Sequence, residues 1–446
     1  MREGTGMNSG DTAWVLASGA LVLLMTPGLA FFYGGMVRAR SVLNMIMMSF
    51  ATIGLVSVLW VLYGFSLTFG PDSFAGLIGN FDYVGLKGTL DALTGPDHHQ
   101  IPLLVFGAFQ LMFAIITPAL ITGAIADRAR FGAWMIFAGV WVTVVYFPVA
   151  HWVFDFAGGK GGWIGDRLGA LDFAGGTAVH VNAGAAGLAL ALVLGKRHGW
   201  PKERFKPHNL PLVLLGAGLL WFGWFGFNAG SALAANGTAG TAFMNTQVAT
   251  GAAMLGWLVV ERIRDGKATT LGAASGAVAG LVGITPACAA LNPLMSVVLG
   301  VVCGAVCAMA VGLKYKLGFD DSLDVVGVHL VGGALGSLLI GLLATATVTG
   351  GPSGLLFGGG LTLLGKQVIA VLAVGVYSFG LSWVIGKVID KTIGFRLAPE
   401  DEAAGIDGAE HAEGGYDWGG LLSGRASGAG VSKPSPSAVA AGTGKE

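Results

Sequence analysis

The sequence predicts an all-α membrane protein of about eleven transmembrane helices. Three observations carry that prediction: an apolar composition, apolar runs recurring at bilayer length, and basic residues confined to alternate loops. Hydrophobic residues make up 54% of the 446-residue chain, charged residues 11%, and mean hydropathy is +0.72. A soluble domain carries about 25% charge, so this chain cannot clothe itself for water and lipid must cover most of it. Formal net charge is zero, which gives no pull toward nucleic acid.

Crossing roughly 30 Å of hydrocarbon takes about 20 apolar residues. Runs of that kind lie near 12–35, 41–64, 101–126, 131–150, 173–194, 210–230, 240–260, 269–287, 293–313, 325–346 and 358–389. The first run spans a bilayer by itself and is flanked by Glu3 and Asp11 as well as Arg2, so it reads as a retained helix rather than a removable signal. The run at 269–287 is the weakest, because it is mostly Gly and Ala. With eleven crossings, one set of loops holds Arg38, Arg40, Arg128, Arg130, Lys196 and Arg197, with Lys391 and Arg396 after the last span. The other set holds little beyond Lys87, Lys160 and Arg167. The positive-inside rule then puts the N-terminus outside and the C-terminus inside.

The expected organisation is an extracellular N-terminus over 1–11, a transmembrane domain over 12–396 and a cytoplasmic tail over 397–446. The tail is acidic at first and then a Gly/Ser/Ala/Pro stretch from 423 onward, expected to be disordered. Connections 66–100 and 151–172 are long enough to form a vestibule on the outer side. Most of the 76 glycines fall inside the spans, as suits helices whose backbones approach closely without a hydrophobic effect to drive them together.

Two histidines lie deep in apolar runs, His180 in TAVHVNAG and His329 in VVGVHLVGG. Ionisable groups at membrane depth are costly and usually face a cavity or the bundle interior. Their contexts resemble each other: Leu171-Asp172 precedes one and Leu323-Asp324 the other, and Gly/Ala-rich helix follows both. Spans 1–5 and 6–10 therefore read as two inverted five-helix repeats plus a final helix, with one histidine from each meeting near the midplane. Asp172 is either the N-cap of the helix that follows or a carboxylate for substrate, and Asp324 invites the same two readings. Phe109 and Phe113 share a helix face beside Gln110, while Trp224, Phe227, Asn228 and Ser231 crowd the end of the sixth span. Rings plus a hydroxyl suit a small cation.

Other polar residues read as structural. His98, His99, His198 and His208 fall in loops and read as solvated. Cys288, Cys303 and Cys307 sit in apolar runs as small hydrophobes. No P-loop, Rossmann fingerprint, HExxH or nucleophile elbow stands in a fitting context, so no catalytic residue, metal or cofactor is expected.

From about 13 to 416 the chain resembles the ammonium transporter (Amt/Mep/Rh) family, most of all its bacterial Amt-type members. The stretches that carry this are FFYGGMVR (31–38), FQLMFAIITPALITGAIADR (109–128), LDFAGGTAVHVNAG (171–184), GWFGFNAGS (223–231), GAVAGLVGITPAC (276–288) and DVVGVHLVGG (324–333). The resemblance implies a twin-histidine pore at His180 and His329, lined by Trp224 and gated by Phe113 and Phe227. It implies an outer recruitment site of Phe113 and Ser231 supported by Asp172, with Phe109 and Gln110 near the vestibule. Where many members carry a tryptophan, AHWVFDF places Phe154, so either Phe154 or a shifted Trp152 completes that site. A homotrimer and control by a PII-type protein at the cytoplasmic face are also implied. So is a regulatory role for the segment 405–418. The expected activity is capture of NH4+, its deprotonation, and passage of ammonia past the histidines with or without proton relay. The alternatives are an Rh-like neutral gas channel for ammonia or carbon dioxide, and an ammonium sensor acting through a cytoplasmic partner.

Overall fold

The computed structural model describes residues 6–203 and 205–416. Ten of its helices are long and apolar enough to cross a membrane: α1 (Ser9–Met36), α2 (Ala39–Phe69), α3 (Leu103–Ile125), α4 (Phe131–Phe154), α5 (Gly176–Leu194), α6 (Leu210–Gly230), α7 (Gly237–Asp265), α9 (Pro293–Leu317), α10 (Val326–Leu343) and α11 (Thr362–Thr392). The span expected at 269–287 is α8 (Thr270–Ile284), which has only 15 residues. At 1.5 Å per residue it reaches about 22 Å. Beyond Ile284 the chain continues in tight turns through Thr285 and Pro286 and stays buried. The disorder expected for 423–446 falls outside the described residues.

Helix starts are set by side chains that accept from otherwise unpaired backbone N–H groups. Asn8 accepts from Asp11 N, Asn209 from Leu212 N, Asn236 from Ala239 N, Thr269 from Gly272 N and Asn292 from Met295 N. Small residues then set how closely the helices pack. A Cβ on Gly223 or Gly226 would strike the α1 backbone, at Leu21 O (2.5 Å) and Ser18 O (2.7 Å). Gly300 and Gly304, a GxxxG pair on α9, press on Ala249 and Ala253 of α7.

Two faces result. On the face where the chain begins, the connection 66–100 carries a short hairpin, β1 (Leu93–Thr94) with β2 (Ile101–Pro102), and borders the loop 155–172. On the opposite face, the segment after α11 folds back as α12 (Pro399–Ala404) and α13 (Ile406–His411). Glu402, Ile406 and Asp407 are buried there, so this part of the tail is packed against the helices.

Candidate pore and its two mouths

On the N-terminal face a cavity of 440 Å³ opens between α3, the end of α4, the start of α5 and the end of α6. Phe113, Gln110, Phe154, Asp172 and Ser231 all line it, together with Phe106 and Phe156, which the sequence did not single out. Ser231 caps α6 and donates its Oγ–H to Phe227 O at 2.8 Å, which leaves its lone pairs for a donor in the cavity. Phe154 ends α4. Trp152, two residues earlier, donates its indole N–H to Leu77 O (2.8 Å) and packs on Trp163 and Tyr377, so it serves the wall behind the cavity.

The cavity floor is an aromatic pair. Phe113 and Phe227 lie with ring centroids 4.2 Å apart, and Phe109 braces Phe113 edge-on at 5.0 Å from behind. Below them lies an enclosed chamber of only 10 Å³, room for one small molecule. Its walls are aliphatic and aromatic (Leu29, Ile116, Leu120, Val278, Trp224, Phe227) except for His180 and His329. Trp224 is oriented by a 2.8 Å bond from its indole to Thr285 Oγ1 and stacks on His180 at 5.5 Å.

The two imidazoles meet through Nδ1 atoms 3.3 Å apart. One ring must donate there and the other accept, so their tautomers are opposite. The pair therefore carries one Nε2–H and one Nε2 lone pair. Nε2 of His180 is buried without a partner among the described residues. Each histidine sits in a first helical turn wound as a π-helix, Gly176–Val181 in α5 and Val326–Leu330 in α10, a distortion frequent at functional positions. The segments cross on glycine four residues after each histidine. A Cβ on Gly184 would run into the backbone of Leu330, with its Cα at 2.7 Å, and one on Gly333 would lie 2.8 Å from Gly176 O and 2.9 Å from His180 Cβ.

Asp172 serves the helix. Its carboxylate accepts from Gly175 N, Gly176 N, Thr177 N and Ala178 N and from Thr177 Oγ1, at 2.5 to 3.2 Å. Its counterpart in the second half is Asp321, which accepts from Val325 N (3.1 Å) and Val326 N (2.7 Å). This corrects the pairing of Asp172 with Asp324. Both capping aspartates stand eight residues before their histidine, whereas Asp324 stands five before and turns away to Lys314 at 2.6 Å, on a backbone with φ of 64°.

The C-terminal face is charged. Asp320 takes two bonds from the Arg197 guanidinium at 2.9 Å, and its carbonyl accepts from the fully buried Arg128 at 2.6 Å. Arg128 also reaches Ser322 Oγ at 2.5 Å. The returning segment plugs into this network. Glu402 accepts from Arg396 (2.6 Å) and from His198 N, Asp407 accepts from Leu43 N and Asn44 N, and Glu410 accepts from Phe131 N. His208 lies between Val37 O and the Tyr416 hydroxyl, and His99 pairs with Asp11 at 2.7 Å. Neither is the merely solvated residue that its loop position suggested. Free thiols at Cys288, Cys303 and Cys307 are buried, as expected.

Comparison with known proteins bears on this arrangement. Residues 13–416 match the family described as the Ammonium Transporter Family. A Mycobacterium tuberculosis protein named ammonium transporter is 60% identical over 434 residues, covering 92% of this chain and 91% of its own. A Bacillus subtilis protein of the same name is 46% identical, covering 92% and 99%. Among solved structures, Candida albicans Mep2 superposes with a TM-score of 0.81 at 34% identity, over 89% of this chain and 88% of that one.

Proposed function

This chain belongs to the ammonium transporter family and is a multi-pass protein of a bacterial cell membrane, and from that premise we propose how it moves ammonium. NH4+ is held in the N-terminal-face cavity by the faces of Phe113 and Phe154 and by Ser231 Oγ. It gives up its proton there, and ammonia slips past Phe113 and Phe227 to the His180/His329 pair. One observation carries this reading. A cavity of 440 Å³ is divided from one of 10 Å³ by two closely packed rings tilted 37° to each other, and apart from the histidines the walls of the smaller one are aliphatic and aromatic. A bare ion entering such a chamber loses its hydration without replacement, at a cost of tens of kcal/mol in the limit of a dry interior. Potassium has no way to shed its charge, whereas ammonium has. The imidazole donor and acceptor then suit ammonia, which has both N–H groups and a lone pair. Asp172 favours the cation indirectly, since its oxygens are committed to the α5 N-terminus.

The test is current recorded from reconstituted protein under an ammonium gradient and, side by side, a potassium gradient. Ammonium-driven current should fall to background in His180→Ala and His329→Ala. Wild-type current and selectivity in a well-folded double alanine variant would remove the histidines from the mechanism. Flux of ammonia without current in the wild type would favour the neutral-channel alternative.

The proposed topology has eleven crossings in two inverted repeats plus α11, N-terminus outside and C-terminus inside. α8 is the eighth crossing and the docked segment 397–416 lies at the cytoplasmic mouth. The proposed assembly is a homotrimer whose docked segment answers a PII-type protein. Replacing everything after Arg396 with a reporter tests these together. The reporter should be active only in the cytoplasm, native mass spectrometry should still find a trimer, and transport or its PII inhibition should change. An extracellular reporter overturns the topology, a monomer the assembly, and unaltered transport and inhibition the regulatory role.

A further inference from the structure

α11 follows both proposed five-helix repeats, yet it holds the histidine segment of the first one by its backbone. Its outward residues, such as Leu372 and Val376, are exposed, as a lipid-facing helix requires. Its inner stripe carries Gln367, Ser378 and Ser382, each fully buried. Polar side chains at membrane depth are costly unless their donors and acceptors are matched. Gln367 meets that demand almost entirely with one residue. Its Oε1 accepts from Leu171 N at 2.7 Å, while its Nε2 donates to Leu171 O at 2.7 Å and to Ser337 O at 3.0 Å. Because Leu171 N can only donate, the amide has a single orientation. Eleven residues further on, about three turns, Ser378 donates its Oγ–H to Asn182 O at 2.7 Å.

These bonds fall at the two ends of the segment that makes the site. Leu171 directly precedes Asp172, and Asn182 lies two residues after His180. Leu171 and Asp172 both line the 440 Å³ cavity. On the other flank of Asp172, Phe173 N donates to Pro286 O at 3.1 Å. Asp172 is therefore pinned through backbone on both sides before its carboxylate takes up the N–H groups of α5. The stretch 169–175 is not helical, so without such clamps it would carry unpaired polar groups. The second half meets the same need differently. Asp320, directly before the capping Asp321, is gripped by the Arg197 guanidinium. A neutral amide does on the N-terminal face what an ion pair does on the other, and it adds no charge beside a cation cavity.

We infer that Gln367 is a positioning residue for the outer cavity and Ser378 one for the pore histidine, so that α11 sets the spacing between Asp172 and His180. The inference rests on the transport reading above. Neither side chain lines the cavity or the chamber below it. Gln367 acts on the cavity wall, and so on the ammonium concentration that transport needs. Ser378 acts on the π-wound turn that carries His180, and so on passage. A residue that only held the bundle together would move neither quantity apart from the yield of folded protein.

The test is the split between affinity and rate in proteoliposomes. Gln367→Met keeps the length of the side chain without its polar amide. It should raise the ammonium concentration for half-maximal current by about threefold to tenfold, one net hydrogen bond's worth of alignment. Maximal current per folded protein should stay near wild type. Ser378→Ala should do the reverse, lowering maximal current and leaving the half-maximal concentration near wild type. Gln367→Glu keeps an oxygen for Leu171 N and should fall between wild type and Gln367→Met, and it carries the test if Gln367→Met does not fold. Hydrogen exchange followed by mass spectrometry reads the clamp without transport. Residues 169–178 should exchange faster in the Gln367 variants, while α7 and α9 keep their wild-type rates. An unchanged half-maximal concentration in folded Gln367 variants, affinity and rate falling together at both α11 positions, or unchanged exchange over 169–178 overturns the inference. A wild type without ammonium current sinks the transport reading instead, and exchange then decides the clamp by itself.

Discussion

Asp172–His180 and Asp321–His329 are built to one plan and set in opposite surroundings. In each, an aspartate eight residues upstream caps a π-wound first turn and a glycine four residues downstream admits the other segment. Asp172 faces an aromatic cavity and is saturated by four backbone N–H groups and a hydroxyl. Asp321 takes only two backbone bonds and lies among charges: Lys314, Asp324 and the Asp320–Arg197–Arg128 network. Burial pushes its carboxyl up to about 6, with Lys314 pulling the other way and Asp324 adding to the rise. The difference teaches a division of labour. One face presents rings and helix dipoles to a cavity, and the other is a charged network beside a returning chain held by hydrogen bonds from His198 N, Leu43 N, Asn44 N and Phe131 N to its carboxylates.

The largest expected effect strikes what the two segments share. Gly184→Val and Gly333→Val each place atoms where backbone from the other segment lies, Leu330 in one case and Gly176 in the other. Backbone cannot rotate away as a side chain can, and overpacking of this kind costs about 1–3 kcal/mol or more. Both variants should fail to yield folded protein by size-exclusion chromatography, and equally so if the crossing is symmetric. A well-folded Gly333→Val beside a lost Gly184→Val would show that the symmetry is one of appearance only.

The next effect separates the halves. Asp172→Asn removes charge-assisted bonds to a helix N-terminus, each worth about 1.5–3 kcal/mol at most, and offers one acceptor where two oxygens took five bonds. Asp321→Asn removes two. The thermal midpoint in detergent should drop more for Asp172→Asn. The pH dependence sharpens this. A buried carboxyl raised to about 6 lends stability at low pH that is lost as pH rises through that value, because the folded state must then ionise it. The Asp321→Asn penalty should therefore shrink above pH 6. An equal drop for both variants, or a penalty for Asp321→Asn that grows with pH, would contradict the contrast.

How much of this was legible in the sequence follows from what each feature depends on. Helix positions and the histidine pair depend on local hydropathy and on two costly residues, and both can be read along the chain. The aspartates were read in the wrong register. Leu323-Asp324 mimics Leu171-Asp172 as a dipeptide, but a cap is defined by distance to the helix it caps, and the eight-residue interval selects Asp321. Arg128 looked like an ordinary basic loop residue, yet it is fully buried, because its partners lie nearly 200 positions away. The segment after Arg396 read as a polar tail. Its buried Glu402 and Asp407 bond to Arg396, His198 N, Leu43 N and Asn44 N, and only the last two spell out where it docks. Phe156 ends the AHWVFDF stretch just past α4, where no helical periodicity applies and only its i+2 relation to Phe154 hinted at a shared face.

The smallest predicted effect asks how free of charge the approach on the N-terminal face is. Beside the 440 Å³ cavity, and sharing Phe106, Phe154 and Phe156 with it, lies a wider antechamber whose walls include Asp155 and His99. Burial pushes the Asp155 carboxyl up to about 6; His151 opposes the rise, and Asp166 and Asp72 add to it. Asp72 itself is held below the ordinary carboxylate range by the N–H groups of Gly76 and Phe74 and by Arg167, against the opposing push of its own burial. The sign is set by the raised value: whatever stability Asp155 lends the loop is present below the usual carboxylate pKa, about 3.9, and is lost as pH rises through about 6. For transport the same step adds a negative charge beside the cavity. Through water-like surroundings that charge is worth on the order of 0.5 kcal/mol to a cation, about twofold in affinity. The ammonium concentration giving half-maximal current should therefore fall about twofold between pH 5 and pH 7 in the wild type, since ammonium keeps its proton throughout. Asp155→Asn should flatten that slope, while His99→Gln, which leaves Asp155 in place, should keep it. An identical slope in wild type and Asp155→Asn would mean that the charge is shielded by His151, and that recruitment on this face rests on rings and dipoles alone.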